Sequence, residues 1–400
     1  MNQHPHSAPS AARGLSRRAV LAGAAASAVT VAPLLSATTA AAAPNPPHDL
    51  LYVGTWGLDQ VHAVRFDPAR GTMTPLGSVA EVSSNWVAVH PTRSVLYVAS
   101  GAPGGLVRTF RIDEGSGALA QTGEIAIDPG ANGTSSLSYI GLNQDADTLL
   151  VADFATGHAV TAPVGRDGRL GAMASSVQDT GSGPNPRQDG PHAHHVVIDP
   201  SRRFALVADF GADRVFVYDY DRHTHRLYAK SPDGPGTFAT APGSGPRRLV
   251  FDPSGRTVHL LNELTADLQV LDWDARTGTL TPRQLLTTNA PGHTGTTSAA
   301  ELAISRDGRH VYASNRGDNT LVVLSADPQT GLLTETQRLP CGGTTPWSFS
   351  LHPGGRWLFV ANEASSTVNL FRVDPGSGHL TDTGTSVAVP NPDCIAVRSL

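Results

Sequence analysis

Apolar residues in the body of this chain come in short alternating runs, such as Val64-Arg65-Phe66 and Val217-Tyr218-Asp219-Tyr220. That is the period of strands with one face buried. The runs recur as a unit: an apolar-x-apolar stretch, a turn, then an apolar strand ending in Asn, Asp or Ser. Copies span Val87–Ser100, Tyr139–Asp153, Val196–Asp209, Leu249–Asn262, Leu302–Asn315 and Ser348–Asn362. The turn residues Pro91, Gln144, Pro200, Pro253, Arg306 and Pro353 are each followed nine positions later by the strand-ending residue. A constant offset implies one hairpin geometry used repeatedly. The copies advance by 53, 56, 53, 53 and 47 residues, the length of a four-stranded propeller blade. A second half-unit, apolar-x-apolar followed by a Gly-containing turn, supplies the two outer strands, as in Val64–Leu76, Val107–Leu119, Val270–Leu280, Val322–Leu333 and Leu370–Leu380.

The two ends of the chain complete the pattern. Leu51-Tyr52-Val53-Gly54-Thr55 matches the second strand Leu96-Tyr97-Val98-Ala99-Ser100, but no first strand precedes it. Pro392–Val397 matches a first strand, and only Arg398-Ser399-Leu400 follows. Each end is half of the same hairpin. The pattern therefore predicts an all-β, seven-bladed propeller of four-stranded blades, its ring closed by pairing Leu51–Gly54 with Asp393–Val397. Closure removes the exposed edges an open array would carry.

Composition narrows the class further. Of 400 residues, 41 are Gly and 30 Pro, while 16% are charged, which favours short strands and turns over surface helices. Lys+Arg 29 against Asp+Glu 34 gives a net charge of −5 and argues against a nucleic-acid binder. The one long apolar stretch, Ala19–Ala43, follows Ser16-Arg17-Arg18 and ends in small residues before Pro44. This is the plan of an export signal with a paired-arginine start. Residues 1–43 are accordingly expected to be a twin-arginine-type signal, and 44–400 a single propeller domain, secreted or in the periplasm or cell envelope. No transmembrane segment is expected in the mature chain, and a monomer is expected. Cys341 and Cys394 lack the paired spacing of a zinc site. A disulfide and two separate buried thiols are both open.

In a blade, the start of the first strand and the end of the second lie side by side at one mouth of the ring. Those positions read Asn85-Trp86 with Ser100-Gly101, Ser138-Tyr139 with Asp153-Phe154, and His192–His195 with Asp209-Phe210. The next are Arg247-Arg248 with Asn262-Glu263, Ala300-Glu301 with Asn315-Arg316, and Trp347-Ser348 with Asn362-Glu363. Charge gathers in the third to sixth of these copies. An arginine there can hold an oxyanion or a carboxylate, and a His or Glu can move a proton. The competing structural role is an Arg–Glu network between blades, and for the histidines a turn cap.

These stretches also carry a resemblance. Gly190-Pro-His-Ala-His-His-Val, Gly245-Pro-Arg-Arg-Leu-Val-Phe, Leu261-Asn-Glu-Leu, Ala299-Ala-Glu-Leu, Ala313-Ser-Asn-Arg-Gly and Val360-Ala-Asn-Glu resemble the seven-bladed lactonase family, over roughly residues 50–397. That family includes propeller-type 6-phosphogluconolactonases and a fungal carboxy-muconate cyclase. The resemblance implies a catalytic set of His194, Glu263, Arg247 and Arg316. Among the remaining mouth residues, His192, His195, Glu301, Arg248, Trp347 and Glu363 are the substrate-binding candidates. The resemblance also implies hydrolysis of a sugar-type or carboxylated lactone, with no cofactor and no metal, and a small lactone or organic acid as the ligand. A non-catalytic binding propeller, a lactone-forming cyclase and a metal-assisted lactonase are the alternatives. The chain departs from the family pattern at Arg248, where His is frequent, and at Trp347, where Arg is frequent. It departs again at Glu363, where Gln is frequent, and at Ser100-Gly101. These changes bear on the substrate more than on the fold.

Overall fold

Each repeat unit folds into one antiparallel sheet in the computed structural model, which describes residues 48–100, 104–127 and 135–400. The expected signal, residues 1–43, and the mouth residue Gly101 lie outside the described residues. Blade 1 orders its strands Pro392–Arg398, Asp49–Thr55, Val61–Asp67 and Thr72–Ala80. Blade 2 runs from Trp86–Val89 to Leu119–Ala126, blade 3 from Leu137–Leu142 to Ser175–Gln178, and blade 4 from Ala193–Ile198 outward. Blade 5 runs from Pro246–Phe251 to Thr279–Thr287, blade 6 from Ala299–Ile304 to Leu333–Pro340, and blade 7 from Pro346–Leu351 to Leu380–Ala388.

The first strand of every blade touches the first strands of both neighbours, so the seven form an unbroken circle. Between each adjacent pair of sheets lies an apolar cluster. One example is Leu51, Val53, Phe66, Phe359, Val368 and Leu370 between blades 1 and 7. Another is Leu150, Val196, Val207 and Phe216 between blades 3 and 4. The core is thus a ring of seven inter-blade layers, which explains why strands buried on both faces read as near-continuous apolar runs. Closure follows the expected pairing, with Leu51 opposite Val397, Val53 opposite Ile395 and Gly54 opposite Cys394. Gly54 has no room for a side chain, because a Cβ there would lie 2.6 Å from the Cys394 Sγ. Cys341 and Cys394 are both free thiols, buried in different inter-blade layers, so the disulfide alternative is not realised.

Two irregularities break the repeat. In blade 4 the outer strand is split into Arg226–Tyr228 and Gly236–Ala239, both paired to Arg214–Asp221. Lys230, the chain's single lysine, lies in the intervening excursion and donates to the Thr277 carbonyl of blade 5 at 2.5 Å. The second irregularity matters more for function. The inner strand of blades 1 and 3–7 begins with a register shift, in which one or two residues have no partner across the ladder. The single extra residues are Asp393, Ser138, His194, Arg247 and Trp347, and in blade 6 the shift spans Ala300-Glu301. A bulge of this kind bends the strand and re-aims the extra side chain. Neighbouring side chains that would alternate across the sheet can then both be offered to the channel.

Candidate functional site

Four of these bulge residues, Ser138, His194, Arg247 and Trp347, line one cavity of about 180 Å³ at the mouth. Trp56, Phe154, Glu263 and Arg316, which follow the second strands of blades 1, 3, 5 and 6, form another part of its wall. Asn85, Trp86, Ser136, Leu137 and Arg187 complete it. The cavity has an aromatic side and a charged side. Trp56 and Trp347 lie with ring centroids 5.2 Å apart. The Arg316 guanidinium sits 4.5 Å above the Trp347 ring, so the tryptophan supports an arginine.

Glu263 organises the charged side. It is 2% exposed. Its Oε1 accepts from Arg187 Nη1 at 2.8 Å, and its Oε2 lies 2.9 Å from Arg316 Nη2 and 3.5 Å from Arg247 Nε. Burial alone would raise the Glu263 pKa, but the guanidiniums of Arg316, Arg247 and Arg187 outweigh it and hold it at about 2. A carboxylate so stabilised is a weak base. Its role in this geometry is to fix three guanidiniums around one anion. Burial, reinforced by Arg316, lowers Arg247 to about 9 even though Glu263 pulls the other way, so Arg247 remains a cation at neutral pH.

Arg247 Nη1 is also hydrogen-bonded to His194 Nε2. A guanidinium is donor-only, so this contact makes Nε2 the acceptor and leaves the ring proton on Nδ1. Burial first, then Arg247 and Arg248, push the His194 pKa well below its usual value. His194 is therefore a neutral imidazole across the physiological range, with its lone pair directed at the cavity's cation. Phe154 packs edge-on against it at 5.8 Å.

The structure thus brings His194, Arg247, Glu263, Arg316 and Trp347 to one cavity. The other candidates stand apart from its lining. His192 stacks on Phe154 at 4.5 Å and bonds the Phe154 carbonyl through Nδ1, so it positions a wall residue. His195, Arg248 and Glu301 lie one residue further along the inner strands. Arg248 Nη2 pairs with Glu301 Oε2 at 2.9 Å, and its guanidinium lies against the neighbouring rings of Trp86 at 4.1 Å and Tyr139 at 4.9 Å. The His195 ring lies 4.1 Å from Tyr139. These residues adjoin the cavity through Trp86, which lines it. Glu363 is half-buried on blade 7 and makes none of these contacts. Among the described residues no cluster of three or more His, Cys, Asp or Glu is arranged to hold a metal.

Sequence reasoning missed Arg187, because it lies on the connection 179–192 between the outer strand of blade 3 and the inner strand of blade 4, outside the strand pattern on which the repeat was read. The one available signal was the 56-residue step between the copies ending at Asp153 and Asp209, against 53 on either side. The loop is built to present this side chain. The next residue, Gln188, is fully buried and donates to the Phe210 carbonyl and to Asp213 Oδ1, both at 2.7 Å.

Similarity to known proteins fits this architecture. Residues 50–397 match the family profile described as Lactonase, 7-bladed beta-propeller. The 6-phosphogluconolactonase of Bacillus subtilis is 27% identical over 311 residues, covering 76% of this chain and 84% of that one. The periplasmic gluconolactonase of Pseudomonas aeruginosa is 31% identical and superposes with a TM-score of 0.79 over 88% of this chain and 99% of its own. A Lactobacillus plantarum protein, 26% identical, superposes with a TM-score of 0.78 over 88% of this chain and 99% of its own. With a ring of seven four-stranded blades, a cavity of charged and aromatic walls at one mouth and a family match over nearly all of the propeller, the chain belongs to the seven-bladed β-propeller lactonase family.

Proposed function

We propose that the protein is an exported lactonase that hydrolyses a sugar-type or carboxylated lactone in this cavity without a metal. The observation that carries the reading is the unit of His194, Arg247, Arg316 and Glu263: a neutral imidazole lone pair held against cations that are fixed by one buried carboxylate. Lactone opening needs these parts. In the resting site the Arg247 N–H rests on His194 Nε2. When a lactone carbonyl oxygen takes that N–H, Nε2 is released to accept a proton from a water. The hydroxide so generated attacks the carbonyl carbon, and the oxyanion forms between Arg247 and Arg316. As the intermediate collapses, the ring C–O bond breaks. The imidazolium returns its proton to the leaving alkoxide, giving a hydroxy acid and a neutral His194. Glu263 takes no proton in this sequence, since a pKa near 2 keeps it ionised, and it serves to hold the two arginines in place.

The aromatic walls of Trp56, Trp86, Trp347 and Phe154 suit the apolar face of a sugar ring. Three lining arginines against one carboxylate leave two positive charges in excess, which favours acidic substrates and products and opposes a cation. Export follows from Ser16-Arg17-Arg18 and the apolar stretch behind it, and the periplasmic gluconolactonase neighbour supports the same compartment. The test is a panel of 1,5- and 1,4-lactones assayed with and without chelator. Hydrolysis that survives the chelator and is lost in His194→Gln supports the reading. No hydrolysis of any member would favour a ligand-binding propeller, and abolition by chelator a metal-assisted one. Arg17→Lys with Arg18→Lys should hold the protein inside the cell.

A further inference from the structure

We propose that Arg187 is the specificity-determining residue of this site: its guanidinium binds a carboxylate or phosphate carried by the substrate away from the lactone carbonyl, and so selects acidic over neutral lactones. The proposal rests on the lactonase reading and names its substrate class.

Three arginines line the cavity, and they differ in what they have left to offer. Arg247 is 3% exposed, committed to His194 and in reach of Glu263. Arg316 has 11% of its side chain exposed, with one face on Trp347 and Nη2 on Glu263. Arg187 has 55% of its side chain exposed, yet it reaches the same carboxylate, using Nη1 on Glu263 Oε1. A guanidinium carries five N–H donors in a planar fork. One Arg187 edge is spent on Glu263, and the rest faces the opening. A face of this group is also spoken for, since its Cζ lies 4.7 Å from the Phe210 ring centroid. The side chain is therefore held at a fixed angle at the rim, with an edge free for a bidentate anion.

The segment that carries it is not a slack loop. Gln188 is buried with two donated hydrogen bonds and accepts a third from the Asn185 amide, and the Arg187 amide donates to Asn185 Oδ1 at 3.0 Å. Arg187 is also the one cavity cation supplied from outside the repeat. The other two sit on positions of the repeat itself, the bulge found in blades 1 and 3–7 and the residue after the second strand. A donor added on its own segment at the rim is placed to read a substituent at the far end of the substrate, while Arg247 and Arg316 act at the carbonyl.

The test uses the full-length mature protein with a neutral aldono-1,5-lactone and the same ring bearing a 6-carboxylate or a 6-phosphate. In Arg187→Gln the ratio of kcat/KM for acidic over neutral lactone should fall about 10- to 100-fold, the loss of one charge-assisted hydrogen-bonded pair. The fall should appear mainly in KM. Arg187→Lys, which keeps the charge but not the fork, should fall less. The two acidic arms show whether carboxylate or phosphate is preferred. An equal loss on acidic and neutral lactones would show that Arg187 acts only through Glu263 and would overturn the proposal, as would an unchanged ratio. If wild-type protein hydrolyses none of the three, the lactonase reading fails separately. The anion site is then decided by calorimetric titration with inorganic phosphate. Binding that weakens at least tenfold in Arg187→Gln upholds the site. Equal binding in both proteins, or none in wild type, overturns it.

Discussion

Replacing Glu263 by Gln removes the one carboxylate among the cavity-lining residues and leaves Arg187, Arg247 and Arg316 facing each other. The cost can be worked from the site. Glu263 is held at about 2 against an ordinary 4.5, and that gap corresponds to about 3 kcal/mol of interaction favouring the ionised, folded form. Breaking a buried ion pair by removing one partner independently costs roughly 3–5 kcal/mol. The sign follows from proton linkage. Because the folded pKa is depressed, the contribution is complete above the unfolded pKa of 4.5 and is lost as pH falls towards 2. Glu263→Gln should therefore be about 3 kcal/mol less stable than wild type at pH 7 in urea titrations. For a domain of this size that is a melting temperature lower by about 4 °C. The gap should narrow below pH 4.5 and be roughly halved by pH 3. Activity should fall at least 100-fold, because the two arginines at the carbonyl lose their common anchor. A Gln variant as stable as wild type at pH 7, or a gap that stays constant from pH 7 to pH 3, would refute the assignment of Glu263 as the ionised counter-charge.

Three further outcomes are expected. Deleting residues 393–400 removes the strand opposite Asp49–Thr55 and strips Ile395 and Cys394 from two inter-blade layers, so the whole propeller should melt lower in calorimetry; an unchanged melting temperature would contradict the closure argument. Asp393, the bulge residue of blade 1, is fully buried, and burial raises its pKa to about 8 against the lowering effect of its contacts with Cys394. A raised carboxyl pKa makes wild type lose stability as pH rises from about 4 to 8, so Asp393→Asn should gain on wild type across that window and hold a constant advantage above it, as read by urea titrations at several pH values. Because burial and Arg247 lower the His194 pKa, the acid limb of kcat/KM should lie below pH 6.5 and the profile should be flat from pH 7 to 8; a limb centred above 7 would rule His194 out as the proton acceptor.

Much of the fold was legible before any coordinates. A strand is a local object: its period of two and the nine-residue offset between turn and strand end are both written within some fifteen consecutive residues. Six copies of one offset leave little freedom, and the two orphaned half-units at Leu51–Thr55 and Pro392–Val397 impose the closure that the Leu51–Val397 and Val53–Ile395 pairs display. The outer strands of blades 3 and 4 escaped, since the pattern identifies no second half-unit in either, and in blade 4 the excursion around Lys230 splits the outer strand. The site was legible by position more than by role. Mouth positions could be named from the repeat, and those of blades 4 to 7 include the five candidates that meet in the cavity. The roles depend on distances between segments far apart in the chain, and a one-residue bulge changes which side chain is aimed where. His194 and His195 are adjacent in sequence, yet one meets Arg247 at the cavity and the other packs on Tyr139, outside the cavity lining. Glu263 could have been a base; three guanidiniums, one of them from a loop outside the repeat, make it an anchor instead. Local hydrophobic period encodes the blades because each blade repeats the same local problem. The charges at the mouth are settled only when the ring closes and brings all seven blades around one space, where burial and neighbours decide which group carries a proton.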